Sequence, residues 1–200
     1  MVPSIKFLKS WIKETVSYDF YQVSPEDFTG CYDYPVRKAM TSDIPRLVEN
    51  YQNSDWVNYR GQDPAIIERE IRNTMEFESG YFFIEGDGKV LSVARIIAET
   101  DRAGILDESS TLEEFKGKGM QPNVRTACCQ YLFQKGKIAA GYIRDTNTSM
   151  RRVFSKTGGN FASRWQIVHL KRKPRLRERI LPFGLRNYIR TIQQRLSGKE

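Results

Sequence analysis

The alternation of hydrophobic and polar residues along the chain predicts a series of strands and helices that fold as one domain. The clearest element is a β-hairpin, because two β-prone apolar runs, residues 80–85 and 89–98, flank an Asp87-Gly88 turn. Similar apolar runs predict further strands at residues 34–40, 103–112, 137–144 and 161–170. Helical spacing and capping residues predict helices at residues 41–50, from about 63, from 122 and at 147–157.

Both ends of the chain show amphipathic patterns outside this series. Residues 4–16 place apolar side chains on one helical face and lysines elsewhere, which predicts a short helix. From Pro182 onward, apolar residues again share one helical face, with arginines at the other positions. These patterns divide the chain into an N-terminal extension with an amphipathic helix (1–33), a central domain (34–170) and a helical C-terminal tail (171–200).

The net charge of +8 belongs to the C-terminal tail. Residues 171–200 hold ten Lys or Arg and two Glu, so the rest of the chain is neutral. An arginine-rich amphipathic helix can rest on an anionic membrane surface or contact nucleic acid. It can equally pack on the body of the protein while its arginines stay in water. We expect the packed arrangement, keep peripheral membrane contact as the alternative, and do not expect nucleic acid as a partner.

Composition restricts the class of protein further. With 200 residues, 40% of them hydrophobic, the chain can bury a substantial core and is not of the disordered class. No apolar run reaches membrane-spanning length, and lysines interrupt the N-terminal apolar residues where a secretory signal would be unbroken. The three cysteines form neither an even disulfide set nor a metal-ligand spacing. We therefore expect a reduced, cytoplasmic protein without a bound metal.

A glycine-containing segment between the strand at 103–112 and the helix from 122 is the main candidate for ligand binding. Gly117 and Gly119 let the backbone turn tightly and let a ligand approach it closely. The first N–H groups of the following helix lack partners within the helix and carry partial positive charge. Lys116 and Lys118 add two full charges, so the segment predicts a cradle for phosphate. It is neither a Walker loop nor a Gly-x-Gly-x-x-Gly dinucleotide fingerprint.

Two sequence blocks and the order of predicted elements resemble the GNAT superfamily of acyl-CoA-dependent N-acyltransferases over residues 34–170. The first block, Thr111-Leu-Glu-Glu-Phe-Lys-Gly-Lys-Gly-Met120, is similar to the family's strand end followed by Arg-Gly-x-Gly and an aliphatic residue. The second, Asp145-Thr-Asn-Thr-Ser-Met-Arg-Arg-Val-Phe-Ser-Lys-Thr-Gly158, is similar to the family's Asn-x-x-(small)-x-x-x-Tyr-x-Lys-x-Gly-Phe. The resemblance implies an α/β (α+β) fold with a mixed, mostly antiparallel central sheet flanked by helices.

The resemblance also implies that acetyl-CoA is the cosubstrate and that main-chain N–H groups hold its pyrophosphate. The strand end would pair with the pantetheine arm and offer an N–H to the thioester oxygen, which gains negative charge during acyl transfer. That strand is the fourth predicted one. The coenzyme-binding residues that the resemblance implies in this chain are Thr111, Leu112, Lys116, Gly117, Lys118, Gly119, Met120, Gln121 and Asn147. Arg152, or its neighbour Arg151, is added because its length and charge would let it reach a phosphate.

Three departures from the family pattern bear on the mechanism. Lys116 replaces an Arg or Gln, which is a mild change, and Gln121 replaces a small residue, which predicts crowding or decoration of the pyrophosphate site. Phe154 occupies the position of the family's tyrosine general acid, and Gly159 replaces the aromatic residue after the family's glycine. Because phenylalanine cannot reprotonate a departing thiolate, either another group, with Tyr142 nearby in sequence, or solvent would supply that proton.

The acceptor side offers further candidates. A general base must deprotonate the acceptor amine, and we rank Glu108 and Asp107 first because of their position in the strand at 103–112. Trp56 and Tyr59 lie in the loop that commonly shapes the acceptor site in the family. Our leading hypothesis is acetyl transfer to a primary amine, with a small molecule as the acceptor. The alternatives are an acyl-CoA-binding module without catalysis and a membrane- or nucleic-acid-binding protein that acts through its basic tail.

Overall fold

The computed structural model describes residues 12–54, 59, 61–77 and 80–170. The strands are β1 (Ile12–Val23), β2 (Arg37–Lys38), β3 (Gly80–Gly86), β4 (Lys89–Glu99), β5 (Ala103–Thr111), β6 (Ile138–Arg144) and β7 (Asn160–Leu170). The α-helices within these residues are α1 (Ile44–Gln52), α2 (Pro64–Phe77), α3 (Met120–Gln134) and α4 (Thr148–Lys156). Short 3-10 turns lie at Thr41–Asp43 and Glu113–Phe115.

One mixed sheet of seven strands runs through the molecule in the order β2-β3-β4-β5-β6-β1-β7. The strands from β2 to β5 pair antiparallel with their neighbours, and the Asp87-Gly88 turn joins β3 to β4 as predicted. β5 and β6 pair in parallel, and α3 forms the crossover between them. The sheet therefore confirms the predicted mixed, mostly antiparallel α/β fold.

The helices begin where the sequence supplies an N-terminal signal. Gly119 adopts a left-handed φ of 82° immediately before α3, and Pro122 lies in the first turn of that helix, as predicted. Pro45 lies in the first turn of α1. Asn147 caps α4, because its side-chain oxygen accepts a hydrogen bond from the N–H of Met150 at 3.0 Å.

The prediction for the N-terminal segment is wrong over the part that the structure describes. Residues 12–16 belong to β1 rather than to a helix at 4–16, and β1 pairs antiparallel with β6 from Tyr18↔Arg144 to Val23↔Ala139. Residues 15–23 are rich in β-branched and aromatic side chains, and pairing with β6 outweighs helical spacing. The predicted extension therefore contributes a strand to the sheet. Residues 1–11 and the basic tail at 171–200 lie outside the described residues.

Two hydrophobic cores lie on opposite faces of the sheet. Side chains alternate along β3, so that Phe82 enters one core and Phe83 enters the other. The first core packs α3 on the sheet through Val124 and Leu132, and we call this side the α3 face. The second core packs α1 and α2 through residues such as Leu47, and we call this side the α1–α2 face.

Contacts divide the chain into two units. Residues 17–165 form the larger unit, which contains every candidate site residue that the structure describes. The described residues of the other unit are 12–16 and 166–170, the ends of β1 and β7. Among the helices of the described ranges, none has the length and apolar character needed to cross a membrane. In the same ranges no three His, Cys, Asp or Glu side chains are grouped so that they suit a metal ion.

Candidate active site

A gap between the parallel strands β5 and β6 forms the centre of the candidate site. The two strands pair only from Ala103↔Ile138 to Ile105↔Ala140. Pairing stops there, although β5 continues to Thr111 and β6 to Arg144. Backbone groups that such a gap leaves without a strand partner can pair with an extended ligand, as they would with an added strand.

β5 carries one extra residue beside the gap. The pairs Val93↔Ser110 and Arg95↔Asp107 span two steps along β4 but three along β5, which defines a β-bulge. Glu108 lies in this bulge with a φ of 47°, a left-handed conformation that non-glycine residues rarely adopt. Bulges redirect side chains and are frequent next to active sites. Here the carboxyl group of Glu108 is directed to the α1–α2 face.

Leu112 and Thr111, at the end of β5, differ in whether their N–H groups are available to a ligand. The N–H of Leu112 donates to the carbonyl of Leu91 at 2.9 Å, so the prediction that Leu112 offers its N–H to a thioester oxygen is wrong. The physical reason is that the antiparallel pairing with β4 continues one residue beyond the strand. Because N–H directions alternate along an antiparallel strand, the N–H of Thr111 points away from β4 and towards the gap.

The glycine segment leads from β5 into α3. Gly117 and Gly119 have φ values of 76° and 82°, and a Cβ atom added to either would meet nothing within 4 Å. Outside the helices and strands of the described chain, no main-chain hydrogen bond uses the N–H of Gly117, Lys118 or Gly119. Left-handed residues in short turns let successive N–H groups converge on an anion. The segment thus presents open donors at the positive end of α3, a geometry that suits the predicted cradle.

The side chain of Gln121 is turned into the sheet and not towards the glycine segment. Its Nε2 atom lies 2.8 Å from the carbonyl of Ser110 and 3.1 Å from the carbonyl of Val93. It also lies 2.9 Å from the Oγ of Ser92 and 3.1 Å from the Oγ1 of Thr111. The expectation that this side chain crowds a pyrophosphate is therefore wrong, because the polar atoms at the ends of β4 and β5 hold it.

The two lysines of the glycine segment both have neighbours. Lys116 Nζ lies 2.6 Å from the carboxylate of Glu113, and Lys118 Nζ lies 4.7 Å from the centre of the Phe115 ring. The segment itself is braced by Tyr34, whose OH donates to the carbonyl of Lys118 at 3.0 Å. Met120 is buried in the core on the α3 face. The lysines therefore keep positive charge close to the segment, while Met120 can contribute to a ligand through its main chain.

Glu108 is the most strongly perturbed carboxylate of the site. Its Oε1 lies 2.6 Å from Arg95 Nη2, and its Oε2 accepts a hydrogen bond from the OH of Tyr59 at 3.0 Å. Tyr51 holds the main chain by donating to the Glu108 carbonyl at 3.1 Å. Burial raises the pKa of Glu108 to about 7, although Arg95 and Tyr59 favour the charged form. A carboxylate that titrates near neutral pH is suited to act as a general base.

A polar cavity of about 520 Å³ adjoins Glu108 on the α1–α2 face. Tyr59, Glu108 and Arg95 line it from one side, and Gln62, Glu70, Asn73 and Thr74 complete its wall. The structure therefore brings the predicted residues Tyr59 and Glu108 together. Trp56, the other predicted acceptor-site residue, lies outside the described residues.

Asp107 and Tyr142 form a pair across the gap. The OH of Tyr142 donates to Oδ2 of Asp107 at 2.9 Å, and the ring of Tyr142 packs edge-on against Tyr18 and Trp165. Burial and, after it, the charge of Asp107 raise the pKa of Tyr142 to about 12. The neighbouring residue on β6, Gly141, faces Phe154, so Tyr142 lies on the opposite face of the sheet from Phe154.

The two arginines suggested for phosphate binding, Arg151 and Arg152 in the first turns of α4, have different environments. Arg151 Nη2 lies 2.5 Å from the carboxylate of buried Asp19, which also pairs with Arg164 at 2.6 Å. Arg152, the next residue, is exposed. A coenzyme contact by Arg152 stays a prediction, while Arg151 is engaged by Asp19. Asn147, at the N-terminus of the same helix, uses its Oδ1 atom as the cap.

Two arginines beside the gap were absent from the sequence candidates. Arg95 pairs with Glu108, and Arg125 on α3 is only 3% exposed, with its guanidinium carbon 3.7 Å from the centre of the Phe154 ring. Both interrupt an apolar pattern: Arg95 lies within the hydrophobic run of β4, and Arg125 precedes Cys128 by one helical turn on the buried face of α3. A charged residue within an apolar pattern is therefore the sequence feature from which both arginines could have been identified.

Comparison with known proteins finds similarity at the level of fold. No family model matches the chain, and no curated protein matches it by sequence. A GNAT-family acetyltransferase from Colwellia psychrerythraea superposes with a TM-score of 0.65 at 15% identity, covering 85% of this chain and 63% of that protein. A GCN5-related N-acetyltransferase from Sphaerobacter thermophilus also gives a TM-score of 0.65, at 11% identity, covering 83% of this chain and 54% of that protein.

A smaller protein is similar in fold over nearly its whole length. The ribosomal-protein-S18-alanine N-acetyltransferase from Escherichia coli superposes with a TM-score of 0.54 at 12% identity, covering 71% of this chain and 97% of that protein. The chain therefore has the GNAT fold, which confirms the fold that the two sequence blocks implied. It spans less than two thirds of the length of the Colwellia and Sphaerobacter proteins.

Proposed function

We propose that this protein is an N-acyltransferase that moves an acetyl group from acetyl-CoA to a primary amine. One observation carries the proposal: the gap between β5 and β6 has open main-chain donors at its glycine segment and the buried carboxylate of Glu108 beside it. The fold that the chain shares with GNAT acetyltransferases supports the same class of reaction.

The residues around the gap suit the parts of coenzyme A. Main-chain N–H groups of residues 117–121 would bind the pyrophosphate, since the space above Gly117 and Gly119 is open. The pantetheine arm would pair with β5 along the gap, from Thr111 towards the bulge at Glu108, and an N–H of β5 that faces the gap there would donate to the thioester oxygen. We assign Asn147 and the exposed Arg152 to the coenzyme as well. Both lie at the start of α4, which follows β6, the strand across the gap from β5.

Acyl transfer then needs a base and a stabilised oxyanion. Glu108, in its carboxylate form, takes a proton from the acceptor ammonium group, which frees the nitrogen lone pair. The nitrogen attacks the thioester carbon, and the N–H of β5 that faces the gap stabilises the negative charge that develops on the oxygen. As the C–N bond forms, the nitrogen loses its second proton to solvent; the C–S bond then breaks, and the sulfur leaves with the electron pair.

The cavity beside Glu108 supports a small polar amine as the acceptor. Its wall carries the carboxylate of Glu70 and the side-chain amide of Asn73, both on α2 and both able to accept hydrogen bonds from an amine or hydroxyl group. A volume of about 520 Å³ lies within the range of small-molecule sites. We therefore place the acceptor between α2 and the bulge of β5.

Thermal unfolding with and without acetyl-CoA tests the binding part of the proposal. Ligand at about a hundred times its dissociation constant stabilises a protein by about 2.7 kcal/mol, which raises Tm by several degrees. Lys118→Glu, which reverses a charge on the glycine segment, should reduce that rise. Lys156→Glu makes the same charge change at the far end of α4 and should leave the rise intact. No rise with millimolar acetyl-CoA would refute the proposal.

Release of free thiol from acetyl-CoA in the presence of a panel of small amines tests the catalytic part. Glu108→Gln should bind acetyl-CoA like the parent but release thiol about a hundredfold more slowly, within the range that general acid–base catalysis contributes. Binding by the parent without thiol release for any amine would instead support an acyl-CoA-binding module without catalysis.

A further inference from the structure

Arg125 is a buried cation without a carboxylate partner among the described residues. It is 3% exposed, and in the described chain its guanidinium takes part in no ion pair or hydrogen bond. Its contact is the face of the Phe154 ring, at 3.7 Å. Burial lowers the pKa of Arg125, which reflects the cost of keeping the charge there. The thiols of Cys129 and Cys128 and the charge of Asp107 partly offset that cost, but none of them forms an ion pair or a hydrogen bond with the guanidinium, so its N–H groups remain available to another negative group.

The guanidinium lies at the closed end of the gap between β5 and β6. A Cβ atom added to Gly141 would be 3.4 Å from Arg125 Nη2, 2.6 Å from Phe154 Cζ and 2.9 Å from the carbonyl of Leu106. Leu106 and Gly141 are the first residues after the last pair of these strands, Ile105↔Ala140. Arg125 therefore approaches the point where the gap closes, and it does so from the α3 face.

Glu108 approaches the same gap from the α1–α2 face, where Tyr59 and Arg95 hold it. A base and a cation thus flank the gap on opposite faces of the sheet. In acyl transfer the amine loses a proton on one side of the thioester carbon, while the sulfur leaves with negative charge on the other. The signs of the two groups match this separation of charge.

We propose that Arg125, whose guanidinium lies against the ring of Phe154, stabilises the thiolate that leaves during acyl transfer. Phe154 occupies the position at which the family pattern has a tyrosine. The inference rests on the proposed acyltransferase function. As the C–N bond forms and the C–S bond breaks, the electron pair departs on sulfur beside the guanidinium. Arg125 keeps its own proton throughout. The acceptor nitrogen loses two protons: the first passes to Glu108 and then to solvent, and the second passes to solvent after the C–N bond has formed. The thiolate takes one proton from water.

The thiol pKa of bound coenzyme A tests this role apart from turnover. The ultraviolet absorbance of the thiolate is followed against pH for free coenzyme A and for its complexes with the parent, Arg125→Met and Arg125→Lys. The parent should lower the pKa of the bound thiol by about one unit, a tenfold rise in the thiolate-to-thiol ratio. Arg125→Met should return the pKa to that of free coenzyme A or higher, and Arg125→Lys should retain part of the effect.

Steady-state kinetics with acetyl-CoA provide a second test of the role of Arg125. Arg125→Met should lower kcat with acetyl-CoA about a hundredfold with little change in KM, since the charge on sulfur develops in the transition state. Arg72→Met, which removes an arginine from the exposed surface of α2, is the matched control and should behave like the parent.

Each outcome of these measurements decides the inference. If the thiol bound to the parent titrates like free coenzyme A, or if Arg125→Met leaves the pKa of the bound thiol unchanged, Arg125 does not act on the leaving group. A rise in KM alone would likewise overturn the proposal in favour of a packing role. If Arg125→Met fails to fold, the bound thiol of the parent and of Arg125→Lys still gives the answer. Failure of the parent to bind coenzyme A at all would instead refute the acyltransferase function.

Discussion

The pH dependence of stability is a direct physical test of the site, because substitution isolates the contribution of Glu108 to it. Burial raises the pKa of this carboxyl group from 4.5 to about 7 in the folded protein. Between those two pH values the folded state holds a proton that the unfolded state has released. The free energy of unfolding therefore falls as pH rises across this window, and the loss is complete above pH 7.

The magnitude follows from the two pKa values. One pKa unit corresponds to about 1.4 kcal/mol, so the difference between 4.5 and about 7 corresponds to a loss of about 3 kcal/mol. Glu108→Gln removes this titration and no other. We expect the stability of the Gln variant relative to the parent to increase by about 3 kcal/mol between about pH 4 and pH 8.

Urea unfolding of both proteins at several pH values measures this difference. Tyr59→Phe is an informative companion, because it removes a hydrogen bond that favours the charged carboxylate and should shift the same loss to higher pH. A difference between parent and Glu108→Gln that stays constant with pH would refute the reasoning. A difference that changes in the opposite direction would mean that the ion pair with Arg95 outweighs burial and that Glu108 is an ordinary buried carboxylate.

Three further substitutions test other parts of the structure. Gly119→Ala should cost about 1 kcal/mol by denaturant unfolding, because φ is 82° there, and should weaken the Tm response to acetyl-CoA; unchanged stability would contradict the left-handed turn. Gly141→Ala should cost about 1–3 kcal/mol through overpacking against Phe154 Cζ, 2.6 Å from the added Cβ atom, and Phe154→Leu should restore part of the loss. Asp19→Asn should cost about 2 kcal/mol at neutral pH. Because its hydrogen bond with Arg164 is the largest influence lowering the pKa of Asp19, this cost should disappear as pH falls through the acid range, and a cost that persists there would argue for packing instead.

Local chemistry made much of the fold predictable. The Asp87-Gly88 hairpin, the proline in the first turn of α3 and the helix that begins near Asn147 each depend on a few neighbouring residues, and the structure has all three. The bulge that directs Glu108 to the α1–α2 face could not be deduced in this way. It arises from a register difference between β4 and β5, which depends on residues that are distant in sequence.

The errors share the same physical origin. Helical spacing at the N-terminus was misleading because β6, which is far away in sequence, supplies hydrogen-bond partners to residues 18–23. The N–H of Leu112 is occupied by pairing with Leu91, and Gln121 is held by the ends of two strands. Sequence patterns mark which residues are unusual, such as an arginine inside an apolar helix face. They do not reveal which distant group that residue meets.

The place of β1 in the sheet has a consequence for how the protein is made. β1 is the first described strand to leave the ribosome, yet its partner β6 follows more than 100 residues later, as the pairs Tyr18↔Arg144 and Val23↔Ala139 show. Throughout that interval β1 has an unpaired edge that other chains can join. The pair also requires closure of a long loop, which slows folding. During synthesis, therefore, residues 18–23 cannot complete their pairing in the sheet until residue 144 has emerged.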